Sequence, residues 1–166
     1  MIFEINDESI FLGINQTNKF CCFGTSIGFY IYQINPFQKI ISRRIDGGVS
    51  IIKMLSESNI ILFVGKSDIG LYPNNKLIIW DDQKKDVIGE MSYNTEILNL
   101  EVTKQNIIVM TNNKIYVYNF DSLILDKTID NSKNNKIMSI GLNSLDYIIY
   151  PSEDIGFVHI KKISDD

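Results

Sequence analysis

The sequence predicts an all-β protein, a β-propeller of the WD40 type with about four blades, on three observations. Four times an apolar strand leads through a Gly, Asn or Pro turn into a second strand, over 20–34, 59–82, 106–121 and 146–163. Aligning the second strands pairs Tyr32 with Trp80, Tyr118 and Ile160, at spacings of 48, 38 and 42 residues. A period of roughly 40–45 residues built from strands alone, with one Trp-Asp step at Trp80-Asp81, is the pattern of WD-type blades. Third, Ile, Tyr, Phe and Val are plentiful while alanine is absent, which favours strands over helices. A single blade cannot bury both of its faces, so it must stack on neighbours around an axis.

The first unit begins with Ser9 to Ile14, turns at Asn15 to Asn18, and runs through Phe20 to Phe23. Gly24 to Gly28 supplies a hairpin turn, with glycines available where positive φ is needed. The strand Phe29 to Ile34 follows until Pro36 stops it, and Ile40 to Ile45 forms a polar outer strand. The second unit opens after Gly47-Gly48 with Val49 to Leu55. Its middle strand, Asn59 to Gly65, is apolar throughout, as a sheet covered on both faces requires. A longer loop spans Lys66 to Asn75, and Lys76 to Trp80 ends in a turn at Asp81-Asp82.

Unit three has strands at Ile97 to Val102, Ile107 to Thr111, Lys114 to Phe120 and Leu123 to Ile129. Its Asn112-Asn113 turn is read as left-handed asparagine. After a polar connection at Asn131 to Lys136, the last unit has Ile137 to Leu142, Tyr147 to Tyr150, a turn from Pro151 to Gly156, and Phe157 to Ile163. It carries no outer strand. The expected organisation is a single partial propeller domain over 1–166, with repeats at about 9–45, 49–92, 97–130 and 137–163. Four units do not obviously close a ring, so the chain is expected to belong to a larger propeller or to need its end faces covered.

Composition excludes several function classes. The chain of 166 residues, 45% hydrophobic and 11% aromatic, is ordinary globular material. A net charge of −4 gives no basic footprint for nucleic acid. Glu4, Asp7 and Glu8 interrupt the start before a targeting signal can form. The longest apolar run, Ile60 to Val64, is far too short to span a membrane. The reading is a soluble intracellular domain.

Candidate chemistry is sparse. Adjacent strand residues point to opposite faces, so Cys21 and Cys22 read as reduced, packed side chains. His159 is the only histidine and alternates with Val158 and Ile160 in a strand, a structural position. Asp81-Asp82 reads as a turn and not as a catalytic pair. No phosphate-binding glycine loop, dinucleotide fingerprint, zinc-protease motif or nucleophile elbow occurs. No enzyme activity, cofactor or metal is expected.

The stretch 20–32, Phe-Cys-Cys-Phe-Gly-Thr-Ser-Ile-Gly-Phe-Tyr-Ile-Tyr, with Asn35-Pro36-Phe37 after it, resembles the first repeat of the PROPPIN family, the WIPI-type autophagy β-propellers. Gly47-Gly48-Val49-Ser50-Ile51 with Met54-Leu55 is similar to the family's entry into its second blade. The segment 72–85, Tyr-Pro-Asn-Asn-Lys-Leu-Ile-Ile-Trp-Asp-Asp-Gln-Lys-Lys, looks like the subgroup whose second blade has a Tyr-Pro loop and an Ile-Trp-Asp-Asp strand. Lys114 to Tyr118 and the Tyr150-Pro151 step with Gly156 fit the third and fourth repeats. The resemblance runs in order along nearly the whole chain.

What the resemblance implies is a seven-bladed ring that binds phosphatidylinositol 3-phosphate and the 3,5-bisphosphate at phagophore or endosomal membranes. In the family the lipid pockets flank a Phe/Leu-Arg-Arg-Gly motif between the fifth and sixth blades. That motif is missing here, and Arg43-Arg44, followed by Ile45-Asp46, reads as a solvated strand edge. No lipid-binding residue is therefore assigned in this chain. The first three blades are implied to hold a groove for an extended peptide of the autophagic lipid-transfer partner, where a blade-one Asn-Gln-Asp turn makes contacts. Here the turn is Asn15-Gln16-Thr17, so Asn15 carries over as the partner-binding residue and the acidic position is replaced. Plain turn chemistry is the competing reading of Asn15. The expected role is a non-catalytic scaffold, cytoplasmic and peripheral on membranes, linking 3-phosphorylated phosphoinositides to autophagosome formation. A generic WD-repeat interaction module without lipid binding is the alternative.

Overall fold

Alternating and continuous apolar runs of about six residues, each closed by a polar turn, leave the backbone one economical solution, the antiparallel meander. The computed structural model, which describes residues 9–67, 70–131, 136–141 and 147–163, has this form throughout. Among these residues there are fifteen strands and no helix. The first sheet is β1 (Ser9–Ile14), β2 (Phe20–Thr25), β3 (Gly28–Gln33) and β4 (Gln38–Arg44); the second is β5 (Val49–Met54), β6 (Ile60–Gly65), β7 (Lys76–Asp81) and β8 (Asp86–Ser92). The third is β9 (Ile97–Val102), β10 (Asn106–Thr111), β11 (Lys114–Asn119) and β12 (Leu125–Asp130). The fourth has three strands, β13 (Ser139–Ile140), β14 (Tyr147–Pro151) and β15 (Val158–Lys162). In every sheet strand order follows chain order. Glu4, Asp7, Glu8, Leu142 and residues 68–69 and 132–135 of the two loops lie outside the described residues.

The repeat is written into the register. Tyr32, Trp80 and Tyr118 are each the fifth residue of a six-residue third strand. Each sits at a bulge against the fourth strand, at Ile31/Tyr32, Ile79/Trp80 and Val117/Tyr118. A second bulge recurs between the first two strands of the same sheets, at Ser9/Phe11, Val49/Ile51 and Met110/Thr111. Bulges at matching positions give each sheet the same local twist. In the second and third sheets the residue that follows the bulge then caps the next turn. Asp81 Oδ1 accepts from the N–H groups of Gln83 (2.9 Å) and Lys84 (3.2 Å), and Asn119 Oδ1 from those of Asp121 (3.1 Å) and Ser122 (3.0 Å). Lys85 and Leu123, each four residues further on, both have positive φ.

That cap corrects one expectation. Leu123 is in the turn, with φ of 55°, so β12 begins at Leu125 and not at Leu123. The Asn112-Asn113 turn is a second correction. Neither asparagine has positive φ; the turn closes because Thr111 Oγ1 donates to the Lys114 carbonyl at 3.0 Å. Thr25 does the same to Gly28 at 3.1 Å.

The chain divides into two compact units, residues 1–94 and 95–166. In the first, Cys22, Phe29 and Ile31 of the first sheet pack with Ile52, Met54, Ile61, Phe63 and Ile78 of the second. Phe63 is fully buried, its ring 5.8 Å from Phe29 and edge-on to Tyr72 at 5.3 Å. Leu62 and Val64, on the opposite face of β6, are equally buried, which explains the unbroken apolar run. In the second unit, Ile108, Met110, Ile115, Val117 and Ile129 pack with Met138, Ile140, Ile148 and Tyr150.

The two carboxylates of Asp81-Asp82 diverge. Asp82 takes a forked pair from Arg43 on β4, Nε to Oδ1 at 2.7 Å and Nη2 to Oδ2 at 2.8 Å, while Trp80 Nε1 donates to the same Oδ1 at 3.3 Å. Arg43 is thus a tie between the first and second sheets and not a solvated edge; Arg44 alone is exposed as expected. A forked, half-sheltered pair of this kind is expected to be worth about 1–2 kcal/mol. A double-mutant cycle of Arg43→Ala and Asp82→Ala, read by urea unfolding, should give a coupling of about 1 kcal/mol, and additive losses would contradict the tie.

Asp81 stays in its own turn, where the Asn59 amide also donates to it. Burial alone would raise its pKa; the Lys84 N–H, the Asn59 amide, the Gln83 N–H and the Lys84 ammonium outweigh that and hold it below the ordinary 3.8. A lowered folded-state value means the stabilisation is complete above the ordinary value and is lost as pH falls through the lowered one. Wild type should therefore lose stability more steeply than Asp81→Asn below about pH 4 in an acid titration followed by circular dichroism.

Candidate partner-binding groove

The turns after the first strands of the first two sheets lie side by side. They are built to one template, forty residues apart: Asn15 N–H donates to the Phe20 carbonyl and Leu55 N–H to that of Ile60, each at 3.0 Å. Within the first turn the Asn15 side chain does the closing, its Oδ1 accepting from Lys19 N–H and Phe20 N–H at 3.0 Å. Its Nδ2 donates to Thr17 Oγ1 at 2.9 Å and across to the Ser56 carbonyl in the second turn. Asn15 is only 3% exposed. The amide is spent on the chain's own turns, in keeping with the turn-chemistry reading of this residue, and the surface it offers is the turn it shapes.

Two further links cross between these turns. Ser56 N–H donates to Gln16 Oε1 at 2.6 Å, and Lys19 Nζ pairs with Glu57 at 3.0 Å. Beside them lies a groove of about 410 Å³ lined by Asn18, Lys19, Phe20, Gln33, Ile34, Asn35 and Glu57. Its apolar surface comes from Phe20 and Ile34. Three carboxamides and one exposed ion pair make up the rest. Such a lining suits an extended peptide: carboxamides can bond peptide groups, and the apolar strip can take a side chain.

Sequence reading pointed to Asn15 and missed Gln16, Lys19, Ile34, Ser56 and Glu57. The forty-residue repeat contained the missing signal, since it sets Gln16 and Ser56 at equivalent places in adjacent sheets.

The other candidate groups lie apart from the groove. Burial pushes the Cys22 thiol up to about 12, with Cys21 adding to it, and burial raises Cys21 as well. Both are free thiols. Ser50 Oγ donates to the Gly65 carbonyl at 2.8 Å, and the exposed His159 lies against the Tyr150 ring at 5.1 Å. Among the described residues no group of three or more His, Cys, Asp or Glu could hold a metal ion. No helix among them is long and apolar enough to cross a membrane.

No protein-family model matches the chain. It is similar to SVP1-like protein 2 of Schizosaccharomyces pombe, 32% identical over 153 residues that cover 90% of this chain and 42% of the relative. It is also similar to autophagy-related protein 18 of Saccharomyces cerevisiae, 31% identical over 144 residues, 86% of this chain and 29% of the relative. The chain thus spans less than half the length of these relatives. Among solved structures, Hsv2 of Kluyveromyces lactis superposes with a TM-score of 0.78 at 23% identity, covering 96% of this chain and 47% of that one. A complex of KlAtg21 with the coiled coil of AgAtg16 matches with a TM-score of 0.64 at 25% identity, covering 86% and 51%. The sheets are therefore propeller blades, four of them, and the chain belongs to the PROPPIN family of autophagy-related β-propellers.

Proposed function

We propose that the chain is a non-catalytic scaffold of the autophagy machinery, and that the groove between its first two blades takes an extended peptide segment of the lipid-transfer partner. The supporting observation is the groove itself: carboxamides and an ion pair around Phe20 and Ile34, in blades whose sequence follows the autophagy-related relatives. Asn15 serves the partner by fixing the turn. The four sheets act as one partial propeller domain. Recruitment to membranes carrying 3-phosphorylated inositides, at phagophore or endosome, depends in this reading on the later blades, since this chain lacks the Arg-Arg-Gly motif.

The test is an array of overlapping peptides from the lipid-transfer partner, probed with the chain, with the tightest binder carried into calorimetry. Binding in the micromolar range, abolished by Ile34→Asp, is the expected result. Flotation with phosphatidylinositol 3-phosphate vesicles should leave this chain unbound. An array without a specific binder would remove the peptide role, and the plain WD-repeat interaction module would stand in its place.

A further inference from the structure

Both backbone polar groups of Ser56 are held by consecutive residues of another blade. Its carbonyl accepts from Asn15 Nδ2, and its N–H donates to Gln16 Oε1 at 2.6 Å. Ser56 is also left-handed, with φ of 48°, a conformation that an L-residue keeps only when its surroundings hold it. The second turn does not need Gln16 to close. Leu55 N–H donates to Ile60 O, Ser58 N–H and Ser58 Oγ both donate to Leu55 O, and Ile60 N–H donates to Ser58 Oγ at 3.1 Å. The Gln16 bond therefore adds nothing to the turn's own ladder. What it fixes is where that turn stands against the first blade, and hence where Glu57, the next residue, meets Lys19 across the groove.

We infer that Gln16 is a positioning residue of the groove: by holding the Ser56 N–H it sets the width and charge pattern of the site without touching the ligand. The inference rests on the reading of the groove as a peptide site. Of the other links between the two turns, the Asn15 amide holds the Ser56 carbonyl and not its N–H, and an exposed ion pair such as Lys19–Glu57 fixes geometry weakly. Loss of the Gln16 acceptor leaves the groove in several arrangements, of which a fraction accept the peptide, so apparent affinity falls by that fraction.

The experiment uses the whole chain, its Gln16→Met variant, which keeps the length of the side chain and loses the acceptor, and Gln16→Glu, which keeps an acceptor oxygen. The probe is the tightest array peptide. Three quantities are read: its Kd, the melting temperature, and amide exchange at Ser56. Expected for Gln16→Met is a Kd raised about five- to tenfold, in keeping with the loss of one hydrogen bond. Its melting temperature should stay within about 2 °C of wild type, and Ser56 should exchange faster; Gln16→Glu should restore slow exchange. Equal affinities for wild type and Gln16→Met overturn the inference and leave the groove reading intact. A peptide that binds but gives no protection at Lys19, Asn35 or Glu57 overturns the groove reading, and the inference with it.

Discussion

Phe63→Ala is expected to destabilise the first two blades by about 3–5 kcal/mol, the usual cost of deleting a fully buried phenylalanine. The ring sits where the two sheets meet, against Phe29 of the first sheet and Tyr72 of the loop that follows β6, with no exposure. Neighbours on two sheets cannot both close in on the void, so the loss should fall at the upper end of that range. Net stabilities are about 5–15 kcal/mol, so the variant stands near its unfolding threshold. Urea unfolding followed by Trp80 fluorescence measures it. Ile88→Ala, at an exposed site of β8, is the control and should change stability by less than about 0.5 kcal/mol. A Phe63→Ala loss no larger than the control would mean that the two sheets do not share a core.

Gly48→Ala should cost about 2–4 kcal/mol, by a different route. Gly48 has φ of 75°, and a Cβ there would lie 2.7 Å from both the Thr25 and the Ser26 carbonyl oxygens. The residue carries the chain from the first blade into the second under the β2–β3 turn, and backbone cannot yield as a flexible side chain would. Gly156 offers the comparison. Its φ is 90°, but nothing lies within 4 Å of a Cβ, so Gly156→Ala should lose only about 1 kcal/mol to backbone strain. The difference between the two thermal or urea midpoints isolates the steric part, and equal losses would contradict it.

Much of the fold was legible because the repeat constrains it from several directions at once. Residues such as Tyr32, Trp80 and Tyr118 hold one place in the strand, and the structure gives each a bulge at that place. The apolar run of β6 announced burial on both faces. Strand ends were less readable, because they depend on side-chain caps. Asn119 draws Leu123 into a turn, where hydrophobicity alone extends the strand. The outer strand β8 carries a weak pattern, Asp-Val-Ile-Gly-Glu-Met-Ser, too polar and too short of β-branched residues to stand out as a strand.

The groove was legible in one residue only. Asn15 is a turn residue by its chemistry, and family resemblance gave it a partner. Gln16, Ser56, Lys19 and Glu57 became a set only when the two turns were brought side by side. Their bonds join residues 38 to 41 positions apart, a distance that no local motif covers. Arg43 was misread for the same reason. Its acceptor is Asp82, 39 residues away, and a charged pair on an outer strand looks like solvated surface until the next blade is placed beside it.

The central claim is that an extended peptide lies in the groove between the first two blades. Amide exchange of the whole chain, with and without the tightest array peptide, tests it most directly. Protection is predicted over residues 15–20, 33–35 and 55–58, with the third and fourth blades unchanged. Protection confined to 95–163, or none at all at saturating peptide, would contradict it.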